Sequence, residues 1–271
     1  MVAGLVVAAA ACSSSDTLPG TSLSDATVTA DVAAAAADGF AEDVDVMTGM
    51  DGHIGNISSS FSNDGSGIAF GRGAWRPGLS GCTFAGGSFA CPDTLRNGLH
   101  VTRTVTLFDA GGATESAYDS LLTASINVIA DISGARTHGP WTAAVARHRN
   151  ITVTGLAGTE TSRTVNGTGS ESVSDSRVTK NDSTRSYTLT GSSTITNVVM
   201  PVRSTDGGNG WPTSGTITRT LTITFTSGPK SGQSTTRTVT ITFDGTSTPS
   251  GSVNGTPFTI DLTGHTATPR D

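Results

Sequence analysis

Apolar and polar residues alternate with a period of two along most of the chain after residue 66. Such alternation is typical of strands, because successive side chains of a strand point to opposite faces. In residues 99–108, LHVTRTVTLF, one face carries Arg103 with Leu99, Val101, Val105 and Leu107. In residues 124–132 five apolar residues occupy the even positions. Further strands are predicted at 68–70, 145–156, 159–168, 171–179, 185–200, 216–226, 235–244 and 257–262.

Three of the predicted strands share one phrase, in which an arginine precedes alternating threonines and apolar residues. It reads Arg219-Thr-Leu-Thr-Ile-Thr-Phe225 and Arg237-Thr-Val-Thr-Ile-Thr-Phe243, with a shorter copy beginning at Arg103. The apolar residues point one way and the threonines the other, as in an antiparallel sheet with one buried and one solvated face. The arginines are expected at strand starts, where their stems cover apolar surface. The copies are unequally spaced, so a solenoid or propeller is not predicted.

One segment near the N-terminus has helical rather than strand periodicity. Residues 25–46 follow Ser24 and Asp25, either of which is a suitable N-cap, and they are rich in alanine. The predicted apolar face carries Val28, Val32, Ala35 and Phe40, with Asp31, Asp38 and Asp45 off it.

These elements predict a mainly β fold with one N-terminal helix. Roughly ten to twelve strands with one apolar face require a second layer to bury that face. We therefore expect a large, mostly antiparallel, curled sheet, arranged as a half-barrel or a sandwich and partly covered by the helix. Residues 24–271 are interpreted as one domain.

The composition agrees with this class and excludes others. The chain contains 46 Thr, 33 Ser and 34 Gly, which suit solvated strands and turns. Its formal charge of -6 argues against nucleic acid as a partner. The charge is divided, with -9 before Arg72 and +3 from Arg72 onward. The acidic side chains of the helix are expected to form a solvated face, and docking of the helix onto the basic sheet is the alternative. Asp43 and Asp45 lack the spacing of a calcium loop.

Two of the three cysteines bracket a predicted hairpin. Cys82 and Cys91 enclose TFAGGSFA, in which apolar residues flank a central Gly-Gly turn. A disulfide across the hairpin is the favoured interpretation. A zinc site is the alternative, but neither a CxxC motif nor a nearby pair of histidines completes one.

The N-terminus indicates where the protein resides. Residues 2–11, VAGLVVAAAA, are too few to span a bilayer and fit the apolar core of a secretory signal. The end of this segment with the next residue, Ala9-Ala10-Ala11-Cys12, is followed by serines and resembles the lipobox of bacterial envelope lipoproteins. The resemblance implies removal of residues 1–11, a lipid on Cys12 and a flexible tether over residues 12–23. It places the protein in the bacterial envelope, at the periplasmic face or the surface of the outer membrane.

The candidate ligand-binding residues are three tryptophans. Trp75, Trp141 and Trp211 each lie beside proline and near glycine, at predicted strand ends or loops. Exposed tryptophans in loops stack on sugars or apolar ligands, whereas buried ones would plug the ends of the sheet. No HExxH, GxSxG or nucleotide-binding motif occurs, so no catalytic residue, metal or cofactor is predicted.

Three functions are therefore considered. The leading hypothesis is a lipid-anchored, non-enzymatic envelope protein with a structural or binding role. The alternatives are a carrier of lipid or another apolar ligand in the curled sheet, and a glycan-binding or adhesion module that uses the tryptophans. A hydrolase would require a serine, a histidine and a carboxylate clustered in a cleft.

Overall fold

A computed structural model gives the architecture of the 271-residue chain. The structure describes Leu79, residues 81–96, 98–138, 141–158, 160–178, 184–201, 211–227, 231–264 and 266–270, and eight helical residues between Thr29 and Asp43. The predicted signal and tether, and the predicted strand at 68–70, lie outside the described residues.

The described strands form one antiparallel sheet in which neighbours largely follow chain order. Only β4 departs from this order. It pairs with β3, but β5 rather than β4 continues the sheet after β3. The strands are β1 (Thr83–Ala85), β2 (Ser88–Arg96), β3 (Leu99–Asp109), β4 (Thr114–Glu115), β5 (Thr123–His138), β6 (Trp141–Thr154), β7 (Ser162–Val178), β8 (Thr184–Pro201), β9 (Ser214–Phe225), β10 (Ser234–Thr242), β11 (Ser250–Val253), β12 (Thr256–Asp261) and β13 (Thr266–Pro269).

The predicted mainly β fold with a large antiparallel sheet is confirmed. The sheet runs from β1 to β13 without closing, and it is one sheet rather than the two of a sandwich. The short strands β4, β11 and β13 were not predicted. Their two to four residues are mostly Ser, Thr, Gly and Pro, and too few for alternation to stand out.

One boundary prediction is wrong. Residues 159–168 and 171–179 were expected to be two strands, but Ser162–Val178 is one continuous strand, β7. Its internal glycines make room for atoms of the neighbouring strands and do not form a turn. A Cβ atom on Gly169 would lie 2.7 Å from both Arg149 Nη1 and Ser193 Oγ, which come from the strands on either side.

The two faces of the sheet differ as the alternation predicts. We call the face that carries the buried apolar side chains the inner face, and the opposite one the outer face. In β9, Ile217, Leu221 and Ile223 are almost fully buried on the inner face, whereas the intervening threonines point outward. Other inner-face residues are Leu107, Ile126, Val128, Ile151, Val153, Leu189, Ile195, Val239 and Ile241.

The N-terminal helix packs on the inner face. Its described apolar residues, spaced by three and four, are buried and belong to the same core cluster as the strands; they are Val32, Ala33, Ala36, Ala37 and Phe40. The helix prediction is confirmed in these residues. The buried face includes Ala33, Ala36 and Ala37, which the predicted face omitted, while Val28 and Ala35 lie outside the described residues. Small alanines allow the helix axis to approach the strands closely.

The two faces predict losses of stability of different size when neighbouring residues of β9 are truncated. Leu221→Ala removes a side chain that is 1% exposed, and it should lower the free energy of unfolding by about 2–5 kcal/mol. Thr220→Ala changes the exposed outer face and should cost less than about 1 kcal/mol. Urea unfolding of both variants measures the difference. Equal losses would contradict the assignment of faces.

Candidate functional site

The structure does not bring the predicted tryptophans together. Trp75 lies outside the described residues, as does the side chain of Trp141. The backbone of Trp141 begins β6 and pairs with Arg177 near the C-terminal end of β7. Trp211 is half-buried against the core just before β9, at the end of the sheet where β7 begins. Trp141 and Trp211 therefore lie at opposite ends of the central strands.

The predicted disulfide is present between Cys82 and Cys91. The Cα atoms of the two residues are 4.0 Å apart, on either side of the hairpin formed by β1 and β2. Gly86 and Gly87 form its two-residue turn, and both have positive φ, as this type of turn requires. Cys12, the predicted lipidation site, lies outside the described residues.

The outer face carries a regular array of hydroxyl groups. Serine or threonine occupies every outward position in four consecutive rows across β7, β8, β9 and β10. The rows are Thr168–Thr194–Thr218–Thr240, Ser170–Ser192–Thr220–Thr238, Ser172–Thr190–Thr222–Thr236 and Ser174–Thr188–Thr224–Ser234. We call these sixteen residues the hydroxyl array. None of them is buried.

The register of the hydroxyl array is uninterrupted. The bulges of β7 and β8 fall outside it, between Val165 and Gly167 and between Thr196 and Val199. Neighbouring hydroxyls also hydrogen-bond across strands, at 3.1 Å between Thr222 and Thr236. Similar bonds join Thr224 to Ser234 and Thr218 to Thr240. These bonds restrict the side-chain rotamers within the array.

Hydroxyl residues continue beyond the array along the strands. The next row, which crosses six strands from β8 to β13, is Thr196–Thr216–Thr242–Ser250–Thr259–Thr268. Across the sheet from β7, amides and charged groups appear on β5 and β6. Asn127 Nδ2 there donates to Asn150 Oδ1 at 2.7 Å. The uncharged part of the outer face is thus centred on β7 to β10.

One row of the outer face combines the residue types of a serine hydrolase. Asp131, His148 and Ser170 lie side by side on β5, β6 and β7, and His148 Nδ1 is 2.8 Å from Asp131 Oδ1. Among the described residues, however, no hydrogen bond joins the side chains of His148 and Ser170. The histidine and aspartate side chains are 47% and 64% exposed, so water is not excluded from them. The row therefore lacks the hydrogen bond between histidine and serine by which the histidine of a triad activates its nucleophile.

A network of buried ionised groups lies on the inner face beneath the helix. Asp43 of the helix accepts a hydrogen bond from Arg149 Nε at 2.5 Å through Oδ1. Its Oδ2 accepts a second one from Arg219 Nη2, which also donates to the carbonyl oxygen of Gly39 at 2.7 Å. The guanidinium of Arg219 lies 5.0 Å from the ring centroid of Phe40. Two arginines of the sheet thus hold one aspartate of the helix.

Glu171 extends this network along the sheet. Its Oε1 accepts a hydrogen bond from Arg219 Nη1 at 2.5 Å, and its Oε2 accepts one from Arg147 Nε at 3.1 Å. All five side chains, including Asp43 and Arg149, are at most 3% exposed. The positive and negative groups alternate in space. Burial of each charge is tolerable because each has an oppositely charged neighbour.

The network shifts the pKa values of its members in opposite directions. Burial alone would raise the pKa of Glu171, but Arg219, Arg147 and Arg149 outweigh it and lower that pKa to about 2. Burial alone would lower the pKa of Arg219, but Asp43 and Glu171 raise it above its ordinary value. Burial, with Arg219 and Arg149 nearby, lowers the pKa of Arg147 to about 10 despite Glu171. All three groups stay ionised at neutral pH.

This network was not predicted from the sequence. Arg219 was expected at a strand start with its stem over apolar surface, but it lies within β9 and is fully buried. Asp43 was expected on a solvated acidic face, and it instead docks the helix. His148 does point to solvent, whereas Arg147 and Arg149 beside it are buried. Period-two alternation was the available signal, because it places both arginines in phase with the apolar residues of β6.

The network predicts acid sensitivity of the fold. Because the pKa of Glu171 is lower in the folded chain, its contribution to stability is present above about pH 4.5 and disappears as the pH falls toward 2. Glu171→Gln should lower stability at pH 7 by about 3–5 kcal/mol and flatten its decline between pH 5 and 2. Urea unfolding across this range is the measurement. The exposed Glu160→Gln is the control and should keep the wild-type slope, and an equally steep slope in Glu171→Gln would contradict the prediction.

Gly39 provides a second test of the network. A Cβ atom there would lie 2.7 Å from Cζ of Arg219, whose guanidinium is held by Asp43 and Glu171 and is not free to move aside. Gly39→Ala should therefore lower the free energy of unfolding by about 1–3 kcal/mol.

The matched control for Gly39→Ala is a peptide of residues 25–46 without the sheet. Alanine is the better helix former by about 1 kcal/mol, so the same change should raise the helicity of the peptide in circular dichroism. Stabilisation of the full chain by Gly39→Ala would contradict the described contact.

Two further properties concern the described part of the chain. No group of three or more His, Cys, Asp or Glu side chains there is arranged to hold a metal ion. No helix there is long and apolar enough to cross a membrane. Comparison with protein-family models, with curated proteins and with solved structures finds no significant match to this chain.

Proposed function

We propose that the protein is a lipid-anchored protein of the bacterial cell envelope with a non-enzymatic binding role. The observation that carries this proposal is the contrast between the two faces of the sheet. The centre of the inner face is covered by the helix and filled by the ion network. The outer face presents sixteen uncharged hydroxyl residues to solvent. In this proposal the outer face is the binding surface.

The cysteines support an exported location. The disulfide between Cys82 and Cys91 is of the kind that persists in oxidising compartments such as the bacterial periplasm. Once this pair is formed, Cys12 is the one remaining cysteine, and it stands where the lipobox resemblance requires a lipidated residue. A lipid on Cys12 would hold the domain at a membrane surface without a spanning segment.

The inner face favours this role over that of an apolar carrier. A carrier requires apolar volume for its ligand, usually bounded by a few polar groups. Here Val32, Ala36 and Phe40 of the helix pack on that face. The five ionised side chains of the network lie on the same face. An apolar ligand there would separate them from their partners at a large cost in free energy.

The positions of the tryptophans favour the outer face over a tryptophan site. Trp141 and Trp211 lie at opposite ends of the strands, so these two do not form one stacking surface for a sugar. The open row of Asp131, His148 and Ser170 likewise supports a non-enzymatic role, because catalytic triads act where water is excluded.

The anchor is tested by expressing the full chain in a bacterium and measuring the mass of the membrane-extracted protein. We expect a chain that begins at Cys12 and carries acyl groups on that residue, with Cys82 and Cys91 oxidised. Cys12→Ala should abolish the lipid and leave the chain unprocessed, whereas Ser13→Ala is the matched control and should be processed normally. A wild-type chain that keeps Met1 and an unmodified Cys12 would contradict the proposal.

A further inference from the structure

We propose that the hydroxyl array binds the surface of ice. The array is the most regular feature of the molecule, with sixteen Ser and Thr residues in four unbroken rows on four strands. The inference concerns the outer face and is independent of a lipid on Cys12. The ligand class follows from the spacing of the array, from its chemistry and from its rigidity.

The spacing of the array repeats in two perpendicular directions. Adjacent strands lie about 4.8 Å apart, and alternate residues of one strand are about 6.7 Å apart. The register therefore places one hydroxyl residue at each point of a two-dimensional grid with these local spacings. Oxygen atoms on the prism face of hexagonal ice repeat at similar distances in two perpendicular directions. A grid of hydroxyl groups with this geometry can take the place of lattice water molecules.

The chemistry of the array disfavours other ligands. It has no charged residue to attract an ion or a charged polymer, and no large apolar residue to enter a lipid surface. Soluble sugars are usually held by aromatic rings and by planar or charged polar side chains. The array consists of eleven Thr and five Ser and contains none of these groups.

A second copy of the chain is also a poor occupant of the array. Four strands and four rows span about 14 by 20 Å, or about 300 Å², by the usual strand geometry. A stable dimer typically buries about 800 Å² on each partner. The array is too small and too polar to supply this by itself.

A lattice can engage many of the hydroxyls together. A single hydroxyl group gains little from binding, because it exchanges hydrogen bonds with water for equivalent ones, with a net gain of about 0.5–1.5 kcal/mol. Sixteen groups in fixed register bind as one unit only to a ligand with the same repeat. The threonine methyl groups fill the space between hydroxyls with apolar surface that is released from water on binding.

The array is held rigid by its own structure. Most of its residues are threonines, whose β-branching limits χ1. Hydrogen bonds join Thr222 to Thr236 and Thr224 to Ser234 across strands. On the inner face of the same strands, Glu171 and Arg219 form the buried network, and Ile223 lies in the core. The groups therefore need little reordering when they bind.

The experiment is partition of the full chain into slowly grown polycrystalline ice, together with inhibition of ice recrystallisation. Wild-type protein should be enriched in the ice fraction relative to a non-binding reference protein. Thr220→Lys places a long charged side chain near the centre of the array and should reduce the enrichment about tenfold, because it lifts the lattice off the neighbouring hydroxyls. Thr220 is exposed, so the variant should keep the wild-type circular dichroism spectrum and unfolding midpoint.

The matched control is Ser133→Lys, which adds the same charge to an exposed outward position of β5 outside the array. It should retain the wild-type behaviour in ice. Exclusion of wild-type protein from ice would overturn the proposal, as would equal enrichment of wild type and Thr220→Lys. Binding to an insoluble neutral polysaccharide that Thr220→Lys abolishes, with no enrichment in ice, would assign the same face to a glycan instead.

Discussion

The structure depends on the burial of Arg219. This side chain is fully buried in the middle of the sheet, where an unpaired guanidinium would cost several kcal/mol. Glu171 and Asp43 supply its two carboxylates, and Gly39 supplies a carbonyl oxygen. Two of these three partners come from the helix, so Arg219 has all three of them only when the helix is docked. The ion network thus selects one position for the helix on an otherwise apolar surface.

The same interaction fixes the register of the outer face. Arg149, Gly169, Ser193 and Arg219 form one inward row across β6 to β9, flanked by outward rows of the hydroxyl array. A slip of one residue in β6, β7 or β9 would turn its buried arginine or glutamate to solvent and its outward polar residues into the core. The buried charges therefore penalise such slips of these three strands. An evenly alternating, threonine-rich sheet needs such a constraint, because its hydroxyl rows are nearly interchangeable.

Much of the fold could be predicted from local pattern, and the network could not. Alternation located β3, β5, β6, β8, β9, β10 and β12, because each strand is long enough to show its period, and it assigned the faces of β3, β5, β9 and β10. The continuity of β7 was not predicted, because Gly167 and Gly169 resemble turn residues in the sequence. Their actual reason is the close approach of atoms from neighbouring strands. The partners of Asp43 are 106 and 176 residues away, and no local pattern relates such distant positions. The hydroxyl array similarly depends on register, although its threonines were visible in the sequence.

Asp43 and Arg219 join the helix to the sheet. A double-mutant cycle with Asp43→Asn and Arg219→Gln, followed by urea unfolding at pH 7, tests it most directly. If the contact exists, Asp43→Asn removes a carboxylate from Arg219, and Arg219→Gln removes one of the two arginines that hold Asp43. The double variant loses this contact only once, so the two losses are strongly non-additive. We expect a coupling free energy between Asp43 and Arg219 of about 2 kcal/mol or more. Additive losses, within about 0.5 kcal/mol, would contradict it.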